Sequence, residues 1–334
     1  MASGDDLSQR LLRQIDRIVT RFEAKPTSDS RTDLRELVYG GDIRTLNDAV
    51  ADYLVHEKDE VWLLIDNLDK SWATRGSTRE DMLIMRGLLY ATKALERQLE
   101  RRGVAFHTVV FVRTDIYDHL VAETPDRGKE SMVSLEWDDP ELFREIVRKL
   151  VTASTELSGD FGLVWQQVAP SLVGIEDAFT YLLDRTLQRP RDLLMFLSEA
   201  VQVALDRGHQ QITQEDIRQA ERGYSETMLV NLLFEIEDTH PEVAEVAYSF
   251  QGATRTLGLS AVRGLVGASA QADVDETIDL LLWYGFLGVR LSASGDEEYS
   301  YDVRYNIRRL RHLVETGKAT LVVHPAFRTA LGIA

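Results

Sequence analysis

The run Val61-Trp62-Leu63-Leu64-Ile65 passes directly into Asp66-Asn67-Leu68-Asp69-Lys70, so an unbroken apolar segment gives way abruptly to carboxylates. A segment this short, this apolar and flanked by charge predicts a strand covered on both faces. In open parallel sheets, ligands gather just beyond the carboxyl ends of such strands. Asp66 at that tip can hold a hydrated Mg²⁺, although an Asp after a strand is also a common helix cap or turn former. A second run, His107-Thr108-Val109-Val110-Phe111-Val112, follows an amphipathic helix from Met82 to Arg101 and leads into Arg113-Thr114-Asp115. Two successive apolar strands, each ending in polar side chains, point to a composite site.

The chain has 334 residues, long for one domain and ample for two or three. Its most apolar stretch, Leu280 to Leu287, falls far short of the ~20 residues needed to span a bilayer. Met1 to Asp6 lacks the basic and apolar regions of a secretory signal and there are no cysteines, so a cytoplasmic location is expected. A formal charge of -17 argues against a broad phosphate-binding surface, which needs clustered Lys and Arg. The seven histidines show no His-x-x-x-His pair, which argues against a zinc site. With no thiol and no Gly-x-Ser-x-Gly elbow, covalent hydrolase chemistry is a poor match.

Apolar spacing marks helices at Leu7 to Phe22, before a break at Pro26 to Ser30, and at Thr45 to Val55. From Asp139 helical periodicity dominates, through Leu142 to Val151, Phe179 to Leu187 and Leu193 to Leu205. Pro190 suits a first helical turn, and Thr213-Gln214-Glu215-Asp216 reads as a capping box. Helices near Glu242 to Ser249, Ser260 to Val266 and Val274 to Trp283 then precede two strand-like runs, Val289 to Leu291 and Tyr299 to Tyr301, joined by Ser294-Gly295-Asp296. Three helices followed by a hairpin are the winged-helix pattern. A helix from Asn306 to Glu315 and a strand from Thr320 to Pro325 close the chain. The expected class is α/β followed by mostly α: an N-terminal helical segment (1–44), a partial parallel-sheet core (45–138), a helical subdomain (139–237) and a winged helix (238–334).

This order of parts resembles the later portion of a P-loop ATPase of the AAA+ or STAND type, as in the origin-recognition ATPases. The narrower likeness is to a bacterial P-loop ATPase family, carried by Arg113-Thr114-Asp115, Arg189-Pro190-Arg191-Asp192 and His324-Pro325-Ala326-Phe327-Arg328. The resemblance implies ATP and Mg²⁺ as cofactors, with Asp66 as the Walker B carboxylate on the metal and Arg113 or Thr114 sensing the γ-phosphate. It also implies that Arg191 reaches from a helical lid, although a surface arginine at a helix start is as ready an account.

Two departures stand out. No Gly-x-x-x-x-Gly-Lys-Ser/Thr occurs, and Gly128-Lys129 and Gly317-Lys318 lack the preceding glycine. The phosphate loop would then belong to sequence upstream of Met1 or to a partner chain, or nucleotide binding has been lost. Asn67 also stands where many relatives place the glutamate that activates water, and an amide cannot act as a base. Asp69 could substitute only if the strand end curls back; a capped turn is its plainer role.

Asp273, Asp275, Glu276 and Asp279 make the third helix of the winged helix acidic, and Asp296-Glu297-Glu298 does the same for the wing. Both would repel DNA in the usual major-groove docking. The basic residues of this domain gather at Arg304, Arg308, Arg309 and Arg311, either a solvated helix face or a local anion or nucleic-acid patch. The leading expectation is a nucleotide-dependent regulatory switch, with a protein partner, a missing ATPase half or a second copy as its companion. Its alternative is a non-enzymatic binding module on an ATPase-like scaffold. A metal-dependent nuclease using Asp66 and Asp69 ranks third.

Overall fold

The computed structural model describes residues 20, 41–68, 79–114, 116, 117, 120, 132–238, 240–269 and 273–333. The expected helix over Leu7 to Phe22 and its break at Pro26 to Ser30, as well as Asp69, Asp115 and Gly128-Lys129, lie outside them. The described residues up to 120 belong to one compact unit and those from 132 onward to another.

In the first unit, α1 (Gly41–Glu57) leads into β1 (Glu60–Ile65), and α2 (Arg79–Glu100) leads into β2 (Ala105–Val110). The two strands pair in parallel, with Glu60 opposite Ala105 and Ile65 opposite Val110. That register places Val61, Leu63, Phe106 and Thr108 on one face of the pleat and Trp62, Leu64, His107 and Val109 on the other. The first face closes a small core around Ala51, Leu99, Val104 and Phe106, with Leu54 and Leu95 packed against it. The second face is open: Trp62 is 57% and Leu64 61% exposed. The continuous apolar run thus predicts the strand correctly, yet the described residues cover only one of its faces. On the open side Trp62 lies against the His107 ring, centroids 4.6 Å apart, and its indole N–H donates to Glu60 at 3.0 Å.

The second unit begins with α3 (Pro140–Ser154), α4 (Phe161–Val168), a short hairpin of β3 (Leu172–Val173) and β4 (Glu176–Asp177), α5 (Ala178–Leu183), α6 (Pro190–Asp206) and α7 (Gln214–Glu237). Local chemistry sets these boundaries. Asp139, Asp160 and Asp177 each accept an N–H of the helix that follows, and Pro190 occupies the first turn of α6. Thr213 and Asp216 complete the capping box of α7 in both directions. Asp216 is fully buried. Burial opposes its charge, but bonds from His209 and Thr213 prevail and hold the carboxyl down to about 2.

After a 3₁₀ turn at Ala244–Phe250 come β5 (Thr256–Leu257), α8 (Leu259–Ser269), α9 (Val274–Trp283), β6 (Leu287–Leu291) and β7 (Glu297–Glu298). The chain ends with α10 (Ile307–Glu315), β8 (Ala319–Val323) and α11 (Pro325–Arg328). The antiparallel sheet has the order β5-β8-β6-β7, so the closing strand sits between β5 and the hairpin. The expected strand over Tyr299 to Tyr301 does not form: the second hairpin strand is Glu297–Glu298, after which the Tyr299 N–H donates to Asp302 at 2.8 Å and the chain turns into a 3₁₀ segment at Tyr301–Val303.

One core runs through the whole unit, from Phe143 to Ile333. Helix α7 ties its halves together. Tyr224 stacks on Phe196, centroids 4.3 Å apart, and donates its hydroxyl to the Arg185 carbonyl at 2.7 Å. Its neighbour Ser225 donates to the Ala326 carbonyl at 2.6 Å and accepts the Ala330 N–H at 3.0 Å. Among the described residues no helix is long and apolar enough to cross a membrane.

Gly288 in β6 is required by a close approach: a Cβ there would lie 2.4 Å from the Tyr299 ring and 2.8 Å from the Glu298 carbonyl oxygen. Gly288→Ala is therefore expected to lower stability by about 1–3 kcal/mol, the usual penalty of overpacking. Urea unfolding checks this, and an unchanged midpoint would contradict it.

Candidate functional site

The parallel pairing makes β1 and β2 end level with one another. One further bond, from the Phe111 N–H to the Ile65 carbonyl at 2.9 Å, carries the ladder past the last strand residues. The two chains then part at the carboxyl edge of the sheet. Between them lies a cavity of about 230 Å³ lined by Asp66, Asn67 and Leu68 from the first strand end, Phe111, Val112 and Arg113 from the second, and Met85 and Ile116. This is smaller than the ~300–1,000 Å³ pockets that engulf whole drug-sized ligands.

Three sequence candidates meet there. Asp66 and Asn67 are exposed, while Arg113 is partly buried. Asn67 adopts φ 59, in the left-handed region, and its N–H donates to Asp66 Oδ1 at 2.7 Å. Asn tolerates this backbone better than most residues because its short side chain can bond locally. Thr114 opens the turn beyond Arg113, exposed and outside the cavity lining. Asp69 lies outside the described residues.

One carboxylate, one amide and one guanidinium form the polar part of this lining. Among the described residues no group of three or more His, Cys, Asp or Glu could hold a metal ion. That donor set cannot cage a cation by itself. It does fit Mg²⁺, which commonly takes one or two carboxylates and completes its shell with water and substrate phosphate. The apolar lining residues Met85, Val112 and Ile116 carried no signal of a site in the sequence, since they follow the ordinary periodicity of core positions.

Arg191 belongs to the second unit, in the first turn of α6. It pairs with Glu235 of α7, which Arg189 also holds at 2.7 and 2.9 Å. Asp192, buried beneath them, has its carboxyl pushed up by burial against the opposing pull of Arg189 and Arg191. Glu235 stands 44 residues from Arg191, at a distance no local pattern reveals.

The basic cluster is largely paired. Arg311, 11% exposed, lies 2.8 Å from Asp275, 3.1 Å from Asp279 and 3.5 Å from Glu315. Arg309 meets Glu298 at 3.1 Å, and Arg304 meets Glu136 at 3.6 Å. Arg308 alone of the four stands exposed without an ion pair among the described residues. Bonds from Arg311 and Arg263 hold the Asp275 carboxyl below its ordinary range. Arg311 of α10 therefore neutralises Asp275 and Asp279 of α9 across the helix pair.

A family model described as the FunZ-associated C-terminal helical domain matches residues 141–233, the stretch from α3 to near the end of α7. A transposon gamma-delta 80.3 kDa protein of Escherichia coli (strain K12) is 21% identical over 318 residues, covering 89% of this chain and 44% of that protein. Allergen Alt a 2 of Alternaria alternata is 26% identical over 145 residues, covering 42% of this chain and 76% of that protein. The chain thus spans less than half the length of the bacterial relative. No solved structure matches it.

The terminal His-Pro-Ala-Phe-Arg motif is structural in its contacts. His324 is fully buried and caps α11, its Nδ1 accepting the Ala326 N–H at 3.1 Å. Nε2 therefore carries the proton and meets the Tyr301 hydroxyl at 2.8 Å. Arg328 lies 2.9 Å from Glu297, which Arg255 also pairs.

Burial, assisted by the positive charge of Arg328, pushes the His324 pKa down to about 3 from an ordinary 6.5. The unfolded chain then binds a proton that the folded chain refuses. Stability is full above pH 6.5 and falls as pH drops toward 3, at about 1.4 kcal/mol per pH unit from this group. Urea unfolding between pH 7 and 5 should show that slope, and His324→Asn, which retains a capping acceptor without a titrating ring, should reduce it by one proton. An identical slope in the variant would refute the assignment.

Proposed function

We propose that this chain is part of a P-loop ATPase-like regulatory switch, with Asp66, Asn67 and Arg113 receiving the phosphate end of a Mg²⁺-bound nucleotide. The observation that carries the reading is the convergence of those three side chains on one cavity at the carboxyl ends of two parallel strands. In this reading Asp66 would hold Mg²⁺. Arg113 neutralises phosphate charge, and Thr114 is close enough in sequence to join it. The metal would supply charge neutralisation at the phosphate oxygens. Asn67 offers no base for water activation, so the residues of this cavity bind and sense; turnover would need a group such as Asp69.

Residues 238–333 read as a winged helix, because a helical turn, a short strand, two helices and a hairpin follow in that order, with β8 inserted between the first strand and the hairpin. A second function, a non-enzymatic protein-binding module, is favoured by the mutual pairing of α9 acids with Arg311 and Arg263. That pairing leaves little free positive charge for a phosphate backbone. Duplex DNA should show no tight binding at physiological salt; tight binding abolished by Arg308→Glu with Arg309→Glu would reverse that conclusion.

Calorimetric titration of the purified chain with ATP and Mg²⁺ tests the switch directly. Binding should weaken at least about tenfold in Asp66→Ala and in Arg113→Ala, a loss of roughly 1.4 kcal/mol or more for each charged contact. Binding indifferent to both substitutions would remove the cavity from the mechanism, and absence of binding to this chain would leave the protein-binding reading.

A further inference from the structure

Helix α2 carries a straight line of basic side chains on its solvent side. At the roughly 100° per residue of an α-helix, Arg79, Leu83, Arg86, Tyr90 and Arg97 fall within about 40° of one line along the axis. Arg101 continues it, because its N–H still donates to the Arg97 carbonyl at 3.3 Å. Arg79, Tyr90, Arg97 and Arg101 are exposed and Arg86 is half-buried, while Met85, Thr92 and Leu99 are buried on another side of the helix. Among the described residues no carboxylate lies within ion-pair distance of any of these four arginines, although Arg102, next in the chain to Arg101, pairs with Asp48. Of the acids on the helix, Glu96 accepts the Thr108 N–H, and neither Glu80 nor Glu100 reaches an arginine of the line. The chain has 55 Asp and Glu against 38 Lys and Arg, yet this line holds no acid. Lys93, Arg97 and Arg101 also follow at i, i+4 spacing, where like charges weaken a helix. A face that gathers its arginines at a cost to the helix and leaves four of them unpaired suits an anion from outside the unit.

One aromatic ring sits in the middle of the line. Tyr90 is 56% exposed, between Arg86 and Arg97. Its neighbours one turn to either side are small: Gly87, where a Cβ would meet nothing within 4 Å, and Ala94, also exposed. The ring therefore has room beside it for a second flat group. A single-stranded nucleic acid supplies phosphates in a row with free bases beside them, the complement of arginines in a row with an open ring among them. A duplex matches the arginines alone, since its bases are already stacked on one another.

We propose that the solvent side of α2 binds single-stranded nucleic acid, with Arg79, Arg86, Arg97 and Arg101 on backbone phosphates and Tyr90 stacked on a base. The helix has 22 residues, about 33 Å at ~1.5 Å each, so a strand of several nucleotides can lie along it. One line of charge on one helix agrees with the formal charge of -17, which argues only against a broad phosphate-binding surface. The site uses none of the residues that line the cavity at Asp66 and none of the arginines of α10, and it goes beyond the nucleotide reading.

The test is fluorescence anisotropy of a labelled oligothymidylate of about 16 nucleotides, titrated with the purified chain at low salt. Affinity should fall with rising salt at a log–log slope of about -3, as four phosphate contacts on a single strand require. Arg86→Glu with Arg97→Glu should lower affinity at least about tenfold and flatten that slope. Tyr90→Ala should lower it about fivefold or more, the effect of losing one stacked base, and Tyr90→Phe should retain it. Unlabelled duplex of the same length should compete at least about fivefold less well than the single strand, for the same reason. If the charge reversals fail to fold, Arg86→Gln with Arg97→Gln should give a smaller loss in the same direction. Arg308→Glu with Arg309→Glu should change nothing. Absence of binding, binding indifferent to the arginines of α2, or binding lost through Arg308 and Arg309 overturns the site. Affinity unmoved by Tyr90→Ala, or equal competition by duplex, overturns the single-strand assignment. Equal competition by polyglutamate overturns it too, and gives this face to an acidic protein partner.

Discussion

Parallel pairing of β1 with β2, Ile65 opposite Val110, determines where every polar side chain of the first candidate site can stand. Parallel strands in register end together, so the residues that follow them share one edge of the sheet, and in this chain they are Asp66, Asn67 and Arg113. Helix α2 makes the arrangement possible by returning the chain to the same end of the sheet, and its Glu96 side chain accepts the Thr108 N–H of β2. Leu99 and Phe106 bury the contact between helix and strand. The cavity is therefore a consequence of topology, and its chemistry is decided by the few residues placed after each strand.

The second unit depends on a different device, the satisfaction of buried polar groups by a single long helix. Tyr224 and Ser225 are adjacent in α7, yet one bonds to the turn after α5 and the other to α11, 101 residues away in the chain. Aromatic packing at Phe196 fixes the first contact, and the cap formed by His324 fixes the second. Removing either hydroxyl would leave a buried carbonyl without its donor, a loss of about 1–3 kcal/mol. The strong formal charge of the chain is organised on the same principle. Several arginines in this unit, among them Arg185, Arg255, Arg311 and Arg328, meet carboxylates of other elements.

Much of the fold was legible because its signals are local. Apolar periodicity located α1, α2, α6 and α9, and the strand runs located β1, β2 and β8. Thr213 and Pro190 marked helix starts through the chemistry of their own backbone neighbours. The misses have a common physical origin in contacts between distant residues. The hairpin of β3 and β4 has two residues on each side, too short for alternation to register. The order β5-β8-β6-β7 depends on the last strand entering between two earlier ones, which no local pattern encodes. In the sites the same division holds. Asp66 and Arg113 were visible as polar ends of apolar strands, whereas Glu235 became visible only once α6 and α7 were packed together. The open face of Trp62 and Leu64 reverses the usual inference, since an apolar run proves a strand's preference for cover and does not supply the cover.

Asn67 shows how backbone geometry and chemistry constrain one another at the cavity. Its left-handed conformation turns the chain sharply after β1 and brings its N–H onto Asp66. An ordinary residue pays about 1–2 kcal/mol to adopt that region, and Asn, with a short side chain able to bond locally, pays less. A glutamate at this position would face that cost as well as repulsion from the adjacent Asp66. The backbone at position 67 thus accommodates asparagine well and glutamate poorly. Phosphate binding and phosphate cleavage make separate demands on a strand end, the first requiring a carboxylate and a guanidinium at fixed places, the second a base aimed at water. Under the proposed function, Asp66 after β1 and Arg113 after β2 would meet the first demand, while the left-handed backbone at Asn67 works against the second.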